Sequence, residues 1–399
     1  MLAPKGKLSM PRLQFRASCE SGTGVPPVIR AQDVRQTSKL HPYLVAGCVV
    51  LLLIFSLSSC RAQSSSTTLS NCRPTPPMSP NAKPGVGGLS LSHDGKTLVA
   101  ATGDGKIRFI DMATGIVQRT LTGHTNMVYR AIFSPDEKLL ASSSRDLTAR
   151  IWDVSTGREL QQFNGFRCSV KAVEFSPDGR TLAASGNDGM LKLWDITTGA
   201  ELKSLVHINS ADIDMATYAF MFSHDGKKIY GGNGDGTISE WDVASGKEVR
   251  FWKAHDNYVF RLVFSPDYRL LASFGDSVVK LWDTSTWREV RSMSMIGKAG
   301  ISHISGSIVF SHDGKLIAAS NVGLDKQNTY AYVQAMVWNA QTGEKLFTVE
   351  GHKFDINGLI FTRDDRFLLT GSVDRTIKFW DMKTGREARA INLVSADGK

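Results

Sequence analysis

The stretch that decides the fold is VKAVEFSPDGRTLAASGNDGMLKLWDITTG, residues 170–199. An apolar run over 170–175 ends in Ser-Pro-Asp-Gly, where Pro177 sets φ for a type I turn. A second run ends in Gly-Asn-Asp-Gly, and a third ends at Trp194-Asp195 before a Thr-Gly turn. Short runs with a turn signal about every ten residues predict an antiparallel meander. Such a sheet cannot bury both faces alone, so the pattern predicts neighbouring copies of itself.

The dipeptide that ends the third apolar run recurs along the chain, which is expected if the whole unit is repeated. The seven ends are Ile110-Asp111, Trp152-Asp153, Trp194-Asp195, Trp241-Asp242, Trp282-Asp283, Trp338-Asn339 and Trp380-Asp381. A period of about 40–45 residues with a Trp-Asp signature is typical of one blade of a β-propeller. Over residues 86–393 the chain resembles the Trp-Asp repeat (WD-repeat) family. The resemblance implies an all-β fold, a seven-bladed β-propeller of four-stranded antiparallel blades.

The resemblance also implies a structural tetrad of His, Asp, Ser or Thr, and Trp in each complete blade. The matching residues are His124, Asp146 and Trp152 in blade two, His255, Asp276 and Trp282 in blade five, and His352, Asp374 and Trp380 in blade seven. Blade three has Phe166 in place of the histidine, so we expect it to lack this relay. His207 and His303 lie outside the repeat pattern. Because the tetrad is a repeated scaffold element whose buried polar groups must be satisfied, we expect no catalytic role for it.

The segment before the repeats is predicted to be a leader and a tether. Residues 1–59 form the leader, whose apolar core at 43–57 fits a signal peptide, and residues 60–85 form a Ser/Thr/Pro-rich, disordered tether. Leu57-Ser58-Ser59-Cys60 resembles the lipobox of bacterial lipoproteins. This resemblance implies a lipid on Cys60 and a membrane-anchored, extracytoplasmic position in the bacterial cell envelope. An uncleaved signal anchor and a cytosolic protein with a chance apolar run are the alternatives.

Charge and cysteine content restrict the partners and the compartment. The formal net charge is +9, and the leader carries more than half of it, so nucleic-acid binding is not expected. Of the five cysteines only Cys168 lies in the repeats, so we expect no disulfide framework there. A bond between Cys72 and Cys168 is an alternative to which we give little weight. Two isolated histidines do not make a metal site, and no cofactor is expected.

Ring closure is also predicted by the sequence. Residues 386–393 follow Thr384-Gly385 as a fourth strand follows the same turn in the other blades. Blade seven is therefore expected to supply its own outer strand and to lie beside blade one without a shared sheet. Residues 394–399 form a short C-terminal tail.

The longest insertions fall at one end of the predicted blades, the top face, where strand two turns into strand three. They are residues 207–217 before blade four, 295–305 before blade six, and the loop 321–333 within blade six. Loops carry function on rigid scaffolds, and Arg and aromatic residues are frequent interface anchors. The candidate partner-binding residues are Arg145, Phe166, Arg167, Asp212, Tyr258, Phe354 and Tyr330.

These features predict a scaffold that binds a protein or peptide partner through the top-face loops of blades four to six. The alternative is a propeller enzyme, similar to lactonases or glycan hydrolases, with its site in the central funnel. Such an enzyme needs clustered acidic or histidine side chains. The sequence offers Asp212, Asp214, Asp256 and Asp355, with Glu174 at a strand position, and a site could be built from Asp256 and Asp355. No catalytic motif supports that alternative.

Overall fold

The computed structural model describes residues 83–207, 217–295, 302–303, 306–324 and 330–393. Within these ranges the chain forms seven antiparallel sheets that follow one another along the sequence. All of these residues belong to one compact unit, Ser64–Lys399. The leader, most of the tether and the C-terminal tail lie outside the described residues, so their boundaries stay predictions. No helix in the described ranges is long and apolar enough to cross a bilayer.

Each blade is built from four consecutive strands, with one exception in blade six. Blades one to three comprise β1 (Val86–Leu91), β2 (Thr97–Thr102), β3 (Ile107–Asp111), β4 (Val117–Leu121), β5 (Val128–Phe133), β6 (Leu139–Ser144), β7 (Ala149–Asp153), β8 (Glu159–Phe163), β9 (Val170–Phe175), β10 (Thr181–Gly186), β11 (Leu191–Asp195) and β12 (Glu201–Leu205). Blades four and five comprise β13 (Thr217–Phe222), β14 (Lys228–Asn233), β15 (Thr237–Asp242), β16 (Glu248–Lys253), β17 (Arg261–Phe264), β18 (Leu270–Gly275), β19 (Val278–Asp283) and β20 (Glu289–Ser294). Blades six and seven comprise β21 (Ser302–His303), β22 (Ile308–Phe310), β23 (Leu316–Leu324), β24 (Tyr330–Asn339), β25 (Lys345–Glu350), β26 (Ile356–Phe361), β27 (Phe367–Ser372), β28 (Thr376–Asp381) and β29 (Glu387–Asn392). The predicted seven-bladed, all-β fold is confirmed.

The turns have the chemistry that the sequence predicts. In blade three the Ser176 hydroxyl donates to Asp178 Oδ1 (2.5 Å), and the Thr181 amide donates to Ser176 Oγ (2.9 Å). These bonds satisfy polar groups locally and fix the register of β9 against β10. The turn is completed by Gly179, at a φ of 69° that glycine adopts without strain.

The core lies between neighbouring blades, as the repeat pattern requires. The second strands are almost entirely buried, whereas residues on the fourth strands alternate toward solvent. The first strands of successive blades contact one another around the ring, from β1 through to β26 and back to β1. They therefore surround a central channel.

Ring closure follows the prediction. The last strand, β29, pairs with β28, so blade seven supplies its own outer strand. Blade one packs against blade seven through an apolar cluster that includes Leu98 and Ile377. The Arg389 guanidinium spans the same seam and donates to the carbonyl oxygen of Ala113 (3.0 Å).

Blade six differs from the expectation of a long loop at 321–333. Strands β23 and β24 continue their pairing as far as Leu324 and Tyr330, so most of this segment is an extended hairpin. The short strand β21 pairs with the extension, Ser302 opposite Gly323. Two of the three insertions therefore meet at the top face of blade six, because the 295–305 segment contributes a strand to the lengthened hairpin.

Candidate functional site

Blade two contains the complete tetrad predicted for it. The Trp152 indole N–H donates to Ser142 Oγ (2.8 Å), and the Ser142 hydroxyl donates to His124 Nε2 (2.7 Å). His124 Nδ1–H then donates to Asp146 Oδ2 (2.8 Å), which completes a chain of donors through a neutral imidazole. Burial lowers the pKa of His124. Burial alone would raise the pKa of Asp146, but hydrogen bonds from His124 and Thr148 outweigh it and hold that pKa well below its usual range.

Blade seven repeats the same arrangement with a threonine in place of the serine. His352 Nδ1 lies 2.9 Å from Asp374 Oδ2, and its Nε2 lies 2.7 Å from Thr370 Oγ1. The Trp380 indole donates to the same hydroxyl (2.8 Å). In both blades the two ring nitrogens of the histidine are hydrogen-bonded to side chains of the same blade, so neither histidine is available as a catalytic base.

Blade five corrects the predicted tetrad. His255 Nε2 lies 2.8 Å from Ser273 Oγ, and Trp282 donates to the same oxygen. However, His255 Nδ1 is buried without a partner, and Asp276 does not contact it. Burial first, and then the charge of Lys280, lower the pKa of His255 to about 4. The predicted His255–Asp276 link is therefore wrong.

The cause is the shorter turn between strands two and three of blade five. Only Asp276 (φ 50°) and Ser277 (φ 60°) separate β18 from β19, which is the two-residue hairpin turn that requires positive φ. In this turn Asp276 Oδ2 accepts hydrogen bonds from the backbone amides of Asp256 (2.6 Å) and Asn257 (3.1 Å). The aspartate thus anchors the loop that precedes blade five.

His207 also requires a correction, because it is part of the scaffold of blade four. Its side chain is 1% exposed; Nδ1 lies 2.7 Å from Glu248 Oε1, and Nε2 lies 3.3 Å from Asp235 Oδ2. The sequence does contain a signal for this role. In blade two the residue at the position of Glu248 is Glu159, which pairs with Arg150 (2.7 Å). Blade four has Ser239 in place of that arginine, so its glutamate pairs with histidine.

Phe166 is part of the hydrophobic core. Its ring centroid lies 5.7 Å from that of Trp194, and the side chain is only 6% exposed. The relay is absent from blade three, as predicted, because an aromatic ring fills the space of the histidine and Ala184 stands where blade two has Ser142. We therefore remove Phe166 from the candidate partner-binding residues.

The other described candidates lie on the top face. Arg145 and Arg167 are exposed, in the β6–β7 turn and in the loop before β9, and Phe354 is 46% exposed in the loop before β26. Tyr258 is half-buried and stacks on Phe260, with ring centroids 5.3 Å apart. These residues are spread over blades two, three, five and seven.

Two candidates cannot be placed. Asp212 and the side chain of Tyr330 lie outside the described residues, and only the backbone of Tyr330 is described, at the start of β24. The prediction that the contact surface is centred on blades four to six depends on these loops, so it stays a prediction.

The top half of the central channel forms a cavity of about 280 Å³. Its side chains come from the first strands or the residue preceding them and include Tyr129, Arg130, Lys171, Phe260, Arg261 and Asn357. The sequence alone did not indicate the three cations Arg130, Lys171 and Arg261, because they lie in different blades and no motif links them. Lys171 Nζ lies 3.8 Å from the centroid of the Tyr129 ring. Burial, with a smaller contribution from Arg130, lowers the pKa of Arg261 to about 10.

The acidic residues proposed for an enzyme do not form a cluster in the channel. Asp256 and Asp355 lie in loops and do not line this cavity. Glu174, on β9, is the carboxyl that interacts with Arg130; burial raises its pKa to about 7, and the arginine opposes the rise. No group of three or more His, Cys, Asp or Glu side chains suited to a metal ion occurs within the described ranges.

Cys168, in the loop before β9, is disulfide-bonded. Its partner lies outside the described residues. The other cysteines of the chain are at positions 19, 48, 60 and 72. A bond between Cys168 and Cys72 stays a prediction.

Residues 86–321 match the family described as the IFT122 first beta-propeller, and residues 343–381 match the WD domain, G-beta repeat. Protein tipD of Dictyostelium discoideum is 30% identical over 146 residues, which are 36% of this chain and 21% of that protein. The small ribosomal subunit protein RACK1 of Caenorhabditis elegans is 31% identical over 140 residues, 34% of this chain and 38% of that protein. The matches thus span well under half of these relatives.

A solved structure supports the fold alone. The β-propeller domain of Cps50 (Swd1) from Myceliophteria thermophila superposes with a TM-score of 0.62 at 18% identity. The superposition covers 76% of this chain and 95% of that domain.

Proposed function

Because the chain belongs to the WD-repeat family of β-propellers, we propose that it is a protein-interaction platform whose partner docks on the top face. One observation carries the proposal. The histidines and aspartates of the complete tetrads are used inside the sheets, whereas Arg145, Arg167 and Phe354 are exposed on the top face. Exposed Arg and aromatic residues around a concavity are the usual composition of an interface centre.

The alternative of a funnel hydrolase receives less support. Glycoside hydrolysis commonly uses two carboxyl groups that flank the scissile bond. Near the described cavity only Glu174 interacts with the channel cations, and the family relationship supports scaffold roles. The interaction platform is therefore the better proposal.

We further propose that the ring is held outside the cytoplasm by a lipid on Cys60. The lipobox-like sequence before this residue supports the anchor, and the disulfide at Cys168 supports the compartment, because disulfides persist in oxidising environments. Of the four upstream cysteines, removal of the leader and lipidation of Cys60 leave Cys72 to pair with Cys168.

The docking surface is tested by crosslinking and co-purification from membranes with matched variants. Tyr258→Ala and Arg145→Glu alter the top face. Tyr268→Ala and Arg180→Glu alter exposed residues of the same types in the strand-one-to-strand-two turns, at the opposite end of the blades. We expect the first pair to reduce partner recovery at least tenfold and the second pair to leave it unchanged. Loss of the partner only with the second pair would refute top-face docking.

The anchor is tested separately with Cys60→Ala. We expect this variant to be released from membranes while the folded ring is retained. Stable membrane association of Cys60→Ala, together with an uncleaved leader, would show that a signal anchor holds the protein instead.

A further inference from the structure

We infer that the upper part of the central channel is a binding site for a peptide carboxylate, either an Asp or Glu side chain or a C-terminus. The inference rests on the proposed interaction function and specifies the chemistry of the partner. It is drawn from three cations that line one cavity, Arg130, Lys171 and Arg261.

Among the described residues no carboxylate forms a close ion pair with these three cations, and Glu174 interacts with Arg130 only at longer range. The side chain of Arg130 lines the cavity and makes no hydrogen bond or close ion pair with any described residue, so its guanidinium donors are unused within the described part of the chain. Arg261 Nη1 donates to the carbonyl oxygen of Phe260 (2.9 Å), which fixes the guanidinium but neutralises nothing. Lys171 lies over the Tyr129 ring. By contrast, the described cations inside the blades, such as Arg108 with Asp104 (2.7 Å), are paired with carboxylates.

The electrostatics of the cavity favour an anion. Arg130 and Arg261 line the same cavity; burial lowers the pKa of Arg261, and the charge of Arg130 lowers it further. Glu174 offsets one positive charge when it is ionised. An excess of positive charge remains in a concave site with protein walls, and this geometry concentrates the attraction for anions.

The size and the walls of the cavity favour a carboxylate carried by a peptide. A volume of about 280 Å³ holds about nine waters at ~30 Å³ each, enough for one acidic side chain but not for a folded domain. The guanidinium groups match the two oxygens of a carboxylate. At the mouth, Phe260 continues into the stack with Tyr258, so that a peptide backbone entering from the top face meets an aromatic surface.

The test is isothermal titration calorimetry of the folded, leader-free protein with three synthetic peptides. Acetyl-Gly-Glu-Glu-Glu-Gly-amide carries side-chain carboxylates, acetyl-Gly-Ala-Ala-Ala-Gly with a free C-terminus carries a terminal one, and acetyl-Gly-Gln-Gln-Gln-Gly-amide carries none. We expect at least one of the first two to bind at least tenfold more tightly than the glutamine peptide, and the tighter one identifies the source of the carboxylate. Equal binding of all three would overturn the inference.

Variants locate the site. Arg130→Gln and Arg261→Gln should each weaken binding of the preferred peptide about tenfold, the loss expected for one charged hydrogen-bonding partner. Arg180→Gln, which alters an exposed arginine in a turn at the opposite end of the blades, should change it less than twofold. Equal effects of Arg180→Gln and both channel variants would show a nonspecific charge effect and refute the channel site. If the partner is lost with Tyr258→Ala but retained with both channel variants, the interaction platform stands and this inference fails. If the channel binds the acidic peptide but no protein partner docks on the top face, the channel site stands and the proposed interaction platform fails.

Discussion

The buried carboxylate of Asp146 allows the scaffold role of the His–Asp pair to be measured. Asp146→Ala removes the acceptor for His124 Nδ1–H (2.8 Å) and for the Thr148 hydroxyl (2.6 Å), both inside the blade. Each buried donor left without an acceptor costs about 1–3 kcal/mol. We therefore expect the free energy of unfolding to fall by about 3–5 kcal/mol for the two donors together.

Asp276→Ala is the matched control in blade five. Asp276 also accepts backbone hydrogen bonds, but it has no link to His255, and its donors at Asp256 and Asn257 are exposed. Water can replace such an acceptor, so we expect a loss of about 1 kcal/mol. For a domain of this size about 2 °C of melting temperature corresponds to 1 kcal/mol. The expected decreases are therefore about 6–10 °C for Asp146→Ala and about 2 °C for Asp276→Ala.

Differential scanning calorimetry at pH 7 measures both variants against the unaltered ring. Equal decreases in melting temperature for the two variants would refute the reasoning. They would show that an aspartate bonded to a buried histidine stabilises the ring no more than one that only accepts bonds from loop amides. An unchanged melting temperature for Asp146→Ala would refute it as well, because the pair would then contribute nothing to the scaffold.

Three further predictions concern stability and covalent structure. Because the pKa of His255 is lowered to about 4 from 6.5, its contribution to the free energy of unfolding is complete above pH 6.5 and is lost as the pH falls toward 4, by about 3 kcal/mol. His255→Phe should remove that part of the acid sensitivity in urea titrations at pH 7 and 4.5, and an unchanged pH dependence would contradict the assignment. Phe166→Ala should cost about 3–5 kcal/mol as a core truncation, and exposed Arg167→Ala no more than about 0.5 kcal/mol; similar urea midpoints for the two would return Phe166 to the surface candidates. Peptide mapping without reductant should link Cys168 to Cys72, and a free thiol at either position in protein purified from its native host would contradict the proposed compartment.

The sequence by itself determined the number of blades, the strand order and the turns. These features are local, since a Ser-x-Asp turn such as Ser176 with Asp178 carries its own hydrogen bonds. The repeat spacing also predicted that blade seven would complete its own sheet. Apolar alternation and turn chemistry suffice for this level of structure, because each blade must bury the same faces against the next.

Tertiary structure alone decided which signature residues are connected and what the channel contains. Asp276 has the expected spacing from its tryptophan, yet a turn one residue shorter than that of blade seven directs it to backbone amides instead of His255. His207 has no repeat signature, yet a missing cation at Ser239 makes it the partner of Glu248. Arg130 and Arg261 belong to blades three apart, and they share one cavity only because the ring closes. Contacts of this kind depend on the curvature of the whole ring, which no local stretch of sequence encodes.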